Sequence, residues 1–216
     1  EAGDRCALTG EDRQYVASVL RMRKDERLLL FDGAGCEYVA VILGQDQERV
    51  QLEIVQKATI PGNALQITLA QSLPKAKKMD FIIEKACELG ATKIIPFFSR
   101  RSIPRLTPDK TLAKQIRWQK VAREAARKSH SAGIPEVSDI LTWENMLSSA
   151  KDGDKKIIFW EEETRINLKQ VLRDRRSEQS QDFFLIVGPE GGFAREEIEL
   201  AERMSFKSVS LGLQVL

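Results

Sequence analysis

Five large apolar side chains stand in a row at residues 183–187, "FFLIV", and the chain then breaks into Gly188-Pro189-Glu190-Gly191-Gly192 before a charged, helix-patterned stretch begins. A continuous apolar run with a β-branched member at either end of its second half, closed by Gly and Pro, predicts a strand buried on both faces, as in a parallel sheet. Comparable runs recur at "LQITLAQ" (65–71), "IIPFF" (94–98), "KIIFW" (156–160) and "KSVSL" (207–211). Helical spacing fills the gaps. Met79 to Leu89 carries apolar residues at 79, 82, 83, 86 and 89 with Gly90 as its stop, and similar patterns span roughly Leu112 to Ser129 and Arg195 to Met204. Strands alternating with helices predict an α/β layer built on a mostly parallel sheet.

The first sixty residues follow another rhythm. "RLLLF", "EYVAVIL" and "RVQLEIV" are short runs split by "DGAG" and "GQDQE", which predicts strands joined by hairpin turns. Ahead of them, "TGEDRQYVASVLR" reads as a short helix with Thr9 as N-cap and Asp12 three residues on, close to a capping box. A small, mostly β unit over 1–60 therefore precedes an α/β domain over 61–216, with the turn-rich "KATIPGNA" (57–64) as the connector. "RRSEQSQD" (175–182) reads as a polar loop.

Composition narrows the classes. A chain of 216 residues, 42% hydrophobic, can bury a sizeable core. It has no apolar stretch near the roughly 20 residues that span a bilayer, so no membrane partner is expected. Cys6, Cys36 and Cys87 are widely spaced and lack a C-x-x-C pair, which predicts reduced thiols and a cytoplasmic protein. The single histidine, His130, argues against a His-based metal centre or a two-histidine mechanism, and no metal is expected.

The net charge of +2 conceals an asymmetry: Pro74 to Lys128 holds 15 Lys and Arg against 5 Asp and Glu, and the remainder of the chain is acidic. Such an island is either a solvated helix face or a surface for a polyanion, whose condensed counterions Lys and Arg displace. The glycine loop adds a second clue. No Gly-Lys-Ser/Thr follows it and the spacing is not G-x-G-x-x-G, so neither phosphate loop fits, and Glu190 would repel a phosphate. Bare backbone at Gly188, Gly191 and Gly192 suits close approach of a neutral or cationic ligand, or simply a tight turn from strand to helix. Gly191 is expected to be the position where a β-branched residue would block that approach.

Four ordered segments, "LPKAKKMDFIIEKACELGATKIIPFFSRRS", "RWQKVAREAARKS…IPEV", "LIVGPEGGFAREEIELA" and "SLGLQVL", together with "YVASVLRMRKDERLLLFDG", resemble the RsmE family. Members of that family are bacterial SPOUT enzymes that methylate N3 of a uridine in small-subunit (16S) ribosomal RNA. The resemblance implies a PUA-like β-barrel RNA-binding domain ahead of a SPOUT α/β domain with a trefoil knot, S-adenosylmethionine as cofactor, 16S rRNA or the small ribosomal subunit as partner, and a homodimer. It places the cofactor against Glu161, against Gly188, Pro189, Glu190, Gly191 and Gly192, and against Leu211, Gly212, Val215 and Leu216, with the Glu190 carboxylate suited to the ligand's cationic groups. Arg21, Arg23, Lys75, Lys77, Lys78, Arg100, Arg101 and Arg105 are then candidates to face RNA, with the Arg100-Arg101 pair separable from cofactor binding.

Several positions depart from the family pattern. Ala194 stands where Ser usually caps the next helix, Ser99-Arg100-Arg101 replaces Ser-Glu-Arg, and Lys128-Ser129-His130-Ser131 replaces Gln-Ser-x-Arg. "LGLQVL" ends the chain where the family continues through Arg-Thr-Glu-Thr into a last helix, which points to a truncated sequence. Uridine N3 is a poor nucleophile until its imide proton leaves, so catalysis requires alignment and local positive charge. Arg101 and Arg123 are the candidates for that charge, and no general base is identified. An RNA-binding, ribosome-associated protein that has lost methyl transfer is the alternative. A Rossmann-type methyltransferase would need an early glycine-rich loop that "LAQSLPKAKK" does not offer.

Overall fold

The computed structural model describes residues 3–33, 35–59, 65–75, 78–102, 107–129, 131, 133–173 and 182–212. The chain divides into two compact units, Glu1–Gly62 and Asn63–Leu216. In the first, β1 (Arg5–Thr9), β2 (Arg27–Phe31), β3 (Cys36–Gln45) and β4 (Arg49–Thr59) form an antiparallel sheet in the order β1-β4-β3-β2. Strict alternation along β4 turns Val50, Leu52 and Ile54 onto one face, where they pack with Ala40, Ile42 and Val16. Register shifts at Val39/Ala40 and Ile42/Gly44 mark bulges that bend β3. α1 (Gly10–Gln14) begins after Thr9, whose side chain makes no cap hydrogen bond, so the expected capping box is not formed. The helix runs on through a π-helical stretch, Tyr15–Val19, that delivers Val16 to the core. β1 has no apolar alternation to announce it, and it is a strand because its backbone pairs with the edge of β4.

The second unit contains β5 (Ile67–Ser72), α2 (Lys78–Glu88), β6 (Lys93–Phe97), α3 (Pro108–Lys128), β7 (Glu136–Val137), α4 (Trp143–Ser148), β8 (Lys155–Phe159), α5 (Leu168–Arg173), β9 (Phe183–Val187), α6 (Arg195–Arg203) and β10 (Lys207–Val209). Its six strands are all parallel, in the order β10-β8-β9-β5-β6-β7. Three elements lie beyond the expected ones: β7, only 2 residues long, and α4 and α5, 6 residues each. Of the polar stretch 175–182, all but Asp182 lies outside the described residues.

Successive side chains of β9 alternate between two cores. Phe184 and Ile186 join Ile95, Phe97 and Ile158 beneath Trp143 and Met146 of α4 and Ile198 and Ala201 of α6. Phe183 turns the other way and packs with Ile157, Val209 and Val171 of α5. Ile94 meets Ile83 of α2 and Trp118 and Ala122 of α3 in a separate cluster. Burial on both faces explains the continuous apolar run, as a parallel central strand requires.

Strand order fixes where a ligand can enter. From β5 the chain steps outward through β6 to β7, then returns to the far side of β5 to lay down β8, β9 and β10. The reversal falls between β5 and β9, and crevices beyond the carboxyl ends of strands open at such a switch point. No helix among the described residues is long and apolar enough to cross a membrane. Cys6, Cys36 and Cys87 are all unbonded.

Candidate active site

A cavity of about 590 Å³ opens at that reversal. Its wall takes Gln71 and Pro74 from the end of β5, Trp160 and Glu161 from the end of β8, Gly188 to Glu190 and Gly192 from the loop after β9, and Ser210 to Gly212 from the end of β10. The structure thus gathers Glu161, Gly188, Pro189, Glu190, Gly192, Leu211 and Gly212 around one space. Gly191 is not part of the wall. Val215 and Leu216 lie outside the described residues.

Two glycines make the loop possible. Gly192 sits at φ +66°, and a Cβ there would stand 1.7 Å from Glu161 Oε1. A Cβ on Gly188 would stand 2.9 Å from the ring of Phe193, which is packed in the core. Gly191 differs from expectation: a Cβ there would meet Arg101 at an ordinary 3.7 Å, so the strict requirement for glycine belongs to Gly192 and Gly188.

The loop is tied to its neighbours by residues that the sequence assigns to RNA. The Lys78 ammonium donates to Glu190 Oε1 at 2.8 Å, and the Lys75 backbone N–H donates to the same carboxylate at 3.3 Å. The Lys78 hydrogen bond holds the Glu190 carboxyl below its ordinary 4.5, aided by backbone N–H donors. Glu190 therefore has a protein cation as partner and is not waiting for a ligand's. Arg101 Nη1 donates to the Gly191 carbonyl at 2.7 Å, which makes Arg101 a strut of the loop rather than a residue separable from it. Arg100 pairs with Glu196 at 2.9 Å.

These struts are themselves anchored. The hydroxyls of Ser72, Ser99 and Ser102 close a triangle with edges of 2.8, 2.9 and 2.9 Å, which joins the end of β5 to the turn after β6. Glu197, 4% exposed, accepts the N–H groups of Arg100 and Ala194, each at 2.9 Å. Ala194 cannot supply a side-chain cap, yet half of a capping box survives through Glu197. After β8, Glu163 accepts from the N–H groups of Arg165 and Ile166 at 2.6 and 3.2 Å and from the Ser208 hydroxyl at 3.1 Å, and the backbone bond from Arg165 chiefly holds its carboxyl below the usual range. That turn fixes Trp160 and Glu161 at the cavity.

Arg123 is exposed on α3, and Arg21 and Arg23 are exposed in the first unit. Lys77, Arg105 and His130 lie outside the described residues. Sequence reasoning missed Gln71, a polar side chain 5% exposed at the centre of the sheet, whose only signal is a polar residue interrupting the apolar run of β5. It also missed Trp160 Nε1, which is buried with no acceptor among the described residues.

The model of the RNA methyltransferase domain matches residues 61–216, and that of the RNA methyltransferase PUA domain matches 8–55. The chain belongs to the ribosomal RNA small subunit methyltransferase E family. The Bacillus subtilis ribosomal RNA small subunit methyltransferase E is 27% identical over 217 residues, covering 97% of this chain and 83% of the relative. The Neisseria gonorrhoeae methyltransferase E, solved bound to S-adenosylmethionine, superposes with a TM-score of 0.86 at 30% identity over 100% of this chain and 87% of its own. A putative methyltransferase of Legionella pneumophila, solved with the same cofactor, gives 0.88 at 30% identity with the same coverage. Identity to these relatives is modest, while coverage of this chain is nearly complete.

Proposed function

We propose that this protein transfers a methyl group from S-adenosylmethionine to N3 of a uridine in small-subunit ribosomal RNA, in the cytoplasm and as a homodimer. The observation that carries the reading is the cavity at the strand-order reversal, walled by glycine backbone, with the Gln71 carboxamide oxygen in its wall and without a hydrogen-bond partner among the described residues. These features fit an adenosyl ligand rich in hydrogen-bonding edges. Gly188, Pro189, Glu190, Gly192, Glu161, Leu211 and Gly212 would hold it, and Gly191 would act through its carbonyl bond to Arg101. When bound, S-adenosylmethionine supplies an activated, electrophilic methyl group.

The chain's own part is to present a deprotonated imide to that group. Arg101, on the Gly191 carbonyl, puts positive charge at the loop where negative charge develops on the base, while the Lys78 charge is met by Glu190. N3 lies on the Watson–Crick edge, so the target must be unpaired or extruded before reaction. Residues 8–55, with exposed Arg21 and Arg23, are the RNA-positioning module of this reading. The trefoil knot belongs to it as well, and residues 213–216 lie outside the described residues.

The test is methyl transfer from radiolabelled S-adenosylmethionine to naked rRNA and to small subunits, followed by nucleoside mass spectrometry. The expected product is 3-methyluridine at one position. Saturable RNA binding without cofactor binding would instead identify a binder that has lost the chemistry.

A further inference from the structure

Gln71 stands in β5, between Ala70 and Ser72, where the sheet is paired on both sides. Its carboxamide nitrogen donates to the Ser72 carbonyl at 3.0 Å and to the Gly188 carbonyl at 3.3 Å. Both neighbours are acceptors, so the amide has one tenable orientation: a flip would set its oxygen against two carbonyl oxygens. Oε1 is therefore directed away from them. It has no hydrogen-bond partner among the described residues, although the residue is only 5% exposed. It is also not among the polar atoms sealed off without a partner, which are Trp143 Nε1 and Trp160 Nε1, and Gln71 lines the cavity.

An acceptor on a side chain this buried that meets no protein donor adds nothing to the sheet, and an apolar side chain of similar length would serve the sheet at least as well. The arrangement makes sense where a ligand completes it. We infer that Gln71 is a cofactor-positioning residue: its nitrogen fixes the glycine loop through Gly188, and its oxygen accepts a hydrogen bond from the S-adenosyl ligand. The donors available on that ligand are the α-ammonium, the ribose hydroxyls and the adenine amino group. A carboxylate or a ring nitrogen lone pair would be repelled from the same spot. This inference builds on the cofactor reading above and assigns a side-chain acceptor that the described residues leave open in the cavity wall.

Calorimetric titration of the full chain and of Gln71→Met with S-adenosylmethionine, S-adenosylhomocysteine and 5′-methylthioadenosine tests it. Gln71→Met is expected to bind the first two at least about tenfold more weakly, the loss of roughly one hydrogen bond to a buried acceptor, while the unliganded melting temperature moves by a few degrees at most. Equal weakening of 5′-methylthioadenosine places the donor on the nucleoside, and an unchanged affinity for it places the donor on the ammonium; either supports the inference. Unchanged affinity for all three ligands overturns it. If the variant misfolds, the carboxamide resonances of Gln71 in the wild-type protein decide, since they must shift on addition of S-adenosylmethionine and their constancy overturns the contact. A wild-type chain that binds no S-adenosylmethionine defeats the functional reading itself, a result distinct from wild-type binding that Gln71→Met leaves intact.

Discussion

Gly192 carries the most restrictive backbone requirement in the loop. Its φ of +66° costs a non-glycine residue about 1–2 kcal/mol, and its missing Cβ makes room for the Glu161 carboxylate. Because that carboxylate is the end of a flexible side chain, Gly192→Ala is expected to fold, to lose about 1–2 kcal/mol in urea denaturation, and to bind S-adenosylmethionine more weakly as Glu161 swings aside. Gly191→Ala should change stability by less than about 0.5 kcal/mol, because its Cβ meets only an ordinary contact with Arg101. Glu190 adds a pH signature. Its carboxyl is held below the usual 4.5 by Lys78, so the charged form is the one the loop stabilises. The contact is fully present above the ordinary carboxylate pKa and is lost as pH falls through the depressed value. Cofactor affinity should therefore be insensitive to this group at 4.5 and above and decline only as pH falls through the depressed value, below 4.5. Glu190→Gln should remove that acid limb, and an identical limb in the variant would assign it to another group.

At the scale of elements, the loop after β9 is suspended from two earlier ones, through Lys75 and Lys78 around the start of α2 and through Arg101 after β6. An exposed ion pair contributes at most about 1 kcal/mol, so Lys78→Ala should weaken cofactor binding by about 2- to 5-fold. Arg101→Ala removes a charged donor from a loop carbonyl and should weaken it by about 3- to 10-fold. The Arg100-Arg101 double alanine variant should accordingly lose cofactor affinity, and calorimetry showing the parental value would dismiss the strut. None of this was legible in the sequence, because these partners are 90 and 115 positions apart and both ends read as ordinary loop polarity. The strands with unbroken apolar runs were legible, as was the tight glycine turn that closes β9, since burial on two faces and a glycine turn leave local marks. β7, α4 and α5 were not: two or six residues carry too little periodicity, and their stability comes from packing, as Trp143 and Met146 show.

Across the whole molecule, the basic island is less free than its composition suggests. Lys78, Arg100 and Lys93 draw Glu190, Glu196 and Glu136 from the acidic remainder of the chain, and Arg117 pairs with Asp80 inside the island. The Lys75 ammonium and the Arg23 guanidinium have no carboxylate partner among the described residues, so their charge is the more available to phosphate. Changing either to Ala should flatten the log–log dependence of rRNA affinity on salt by about 0.7 to 0.9, whereas Arg100→Ala should flatten it less. The dimer of the proposed function predicts twice the chain mass in light scattering at micromolar concentration, and a monomer there would remove it. The placement of β9 between β8 and β5 also has a consequence for synthesis. The centre of the sheet closes across 116 positions, through contacts such as Gln66 with Asp182. At a ribosomal pace of about 5–20 residues per second, β5 waits roughly 6 to 23 s with one backbone edge open. A nascent chain in that interval is a sticky half-sheet, so a fragment ending before Phe183 should precipitate where the full chain stays in solution.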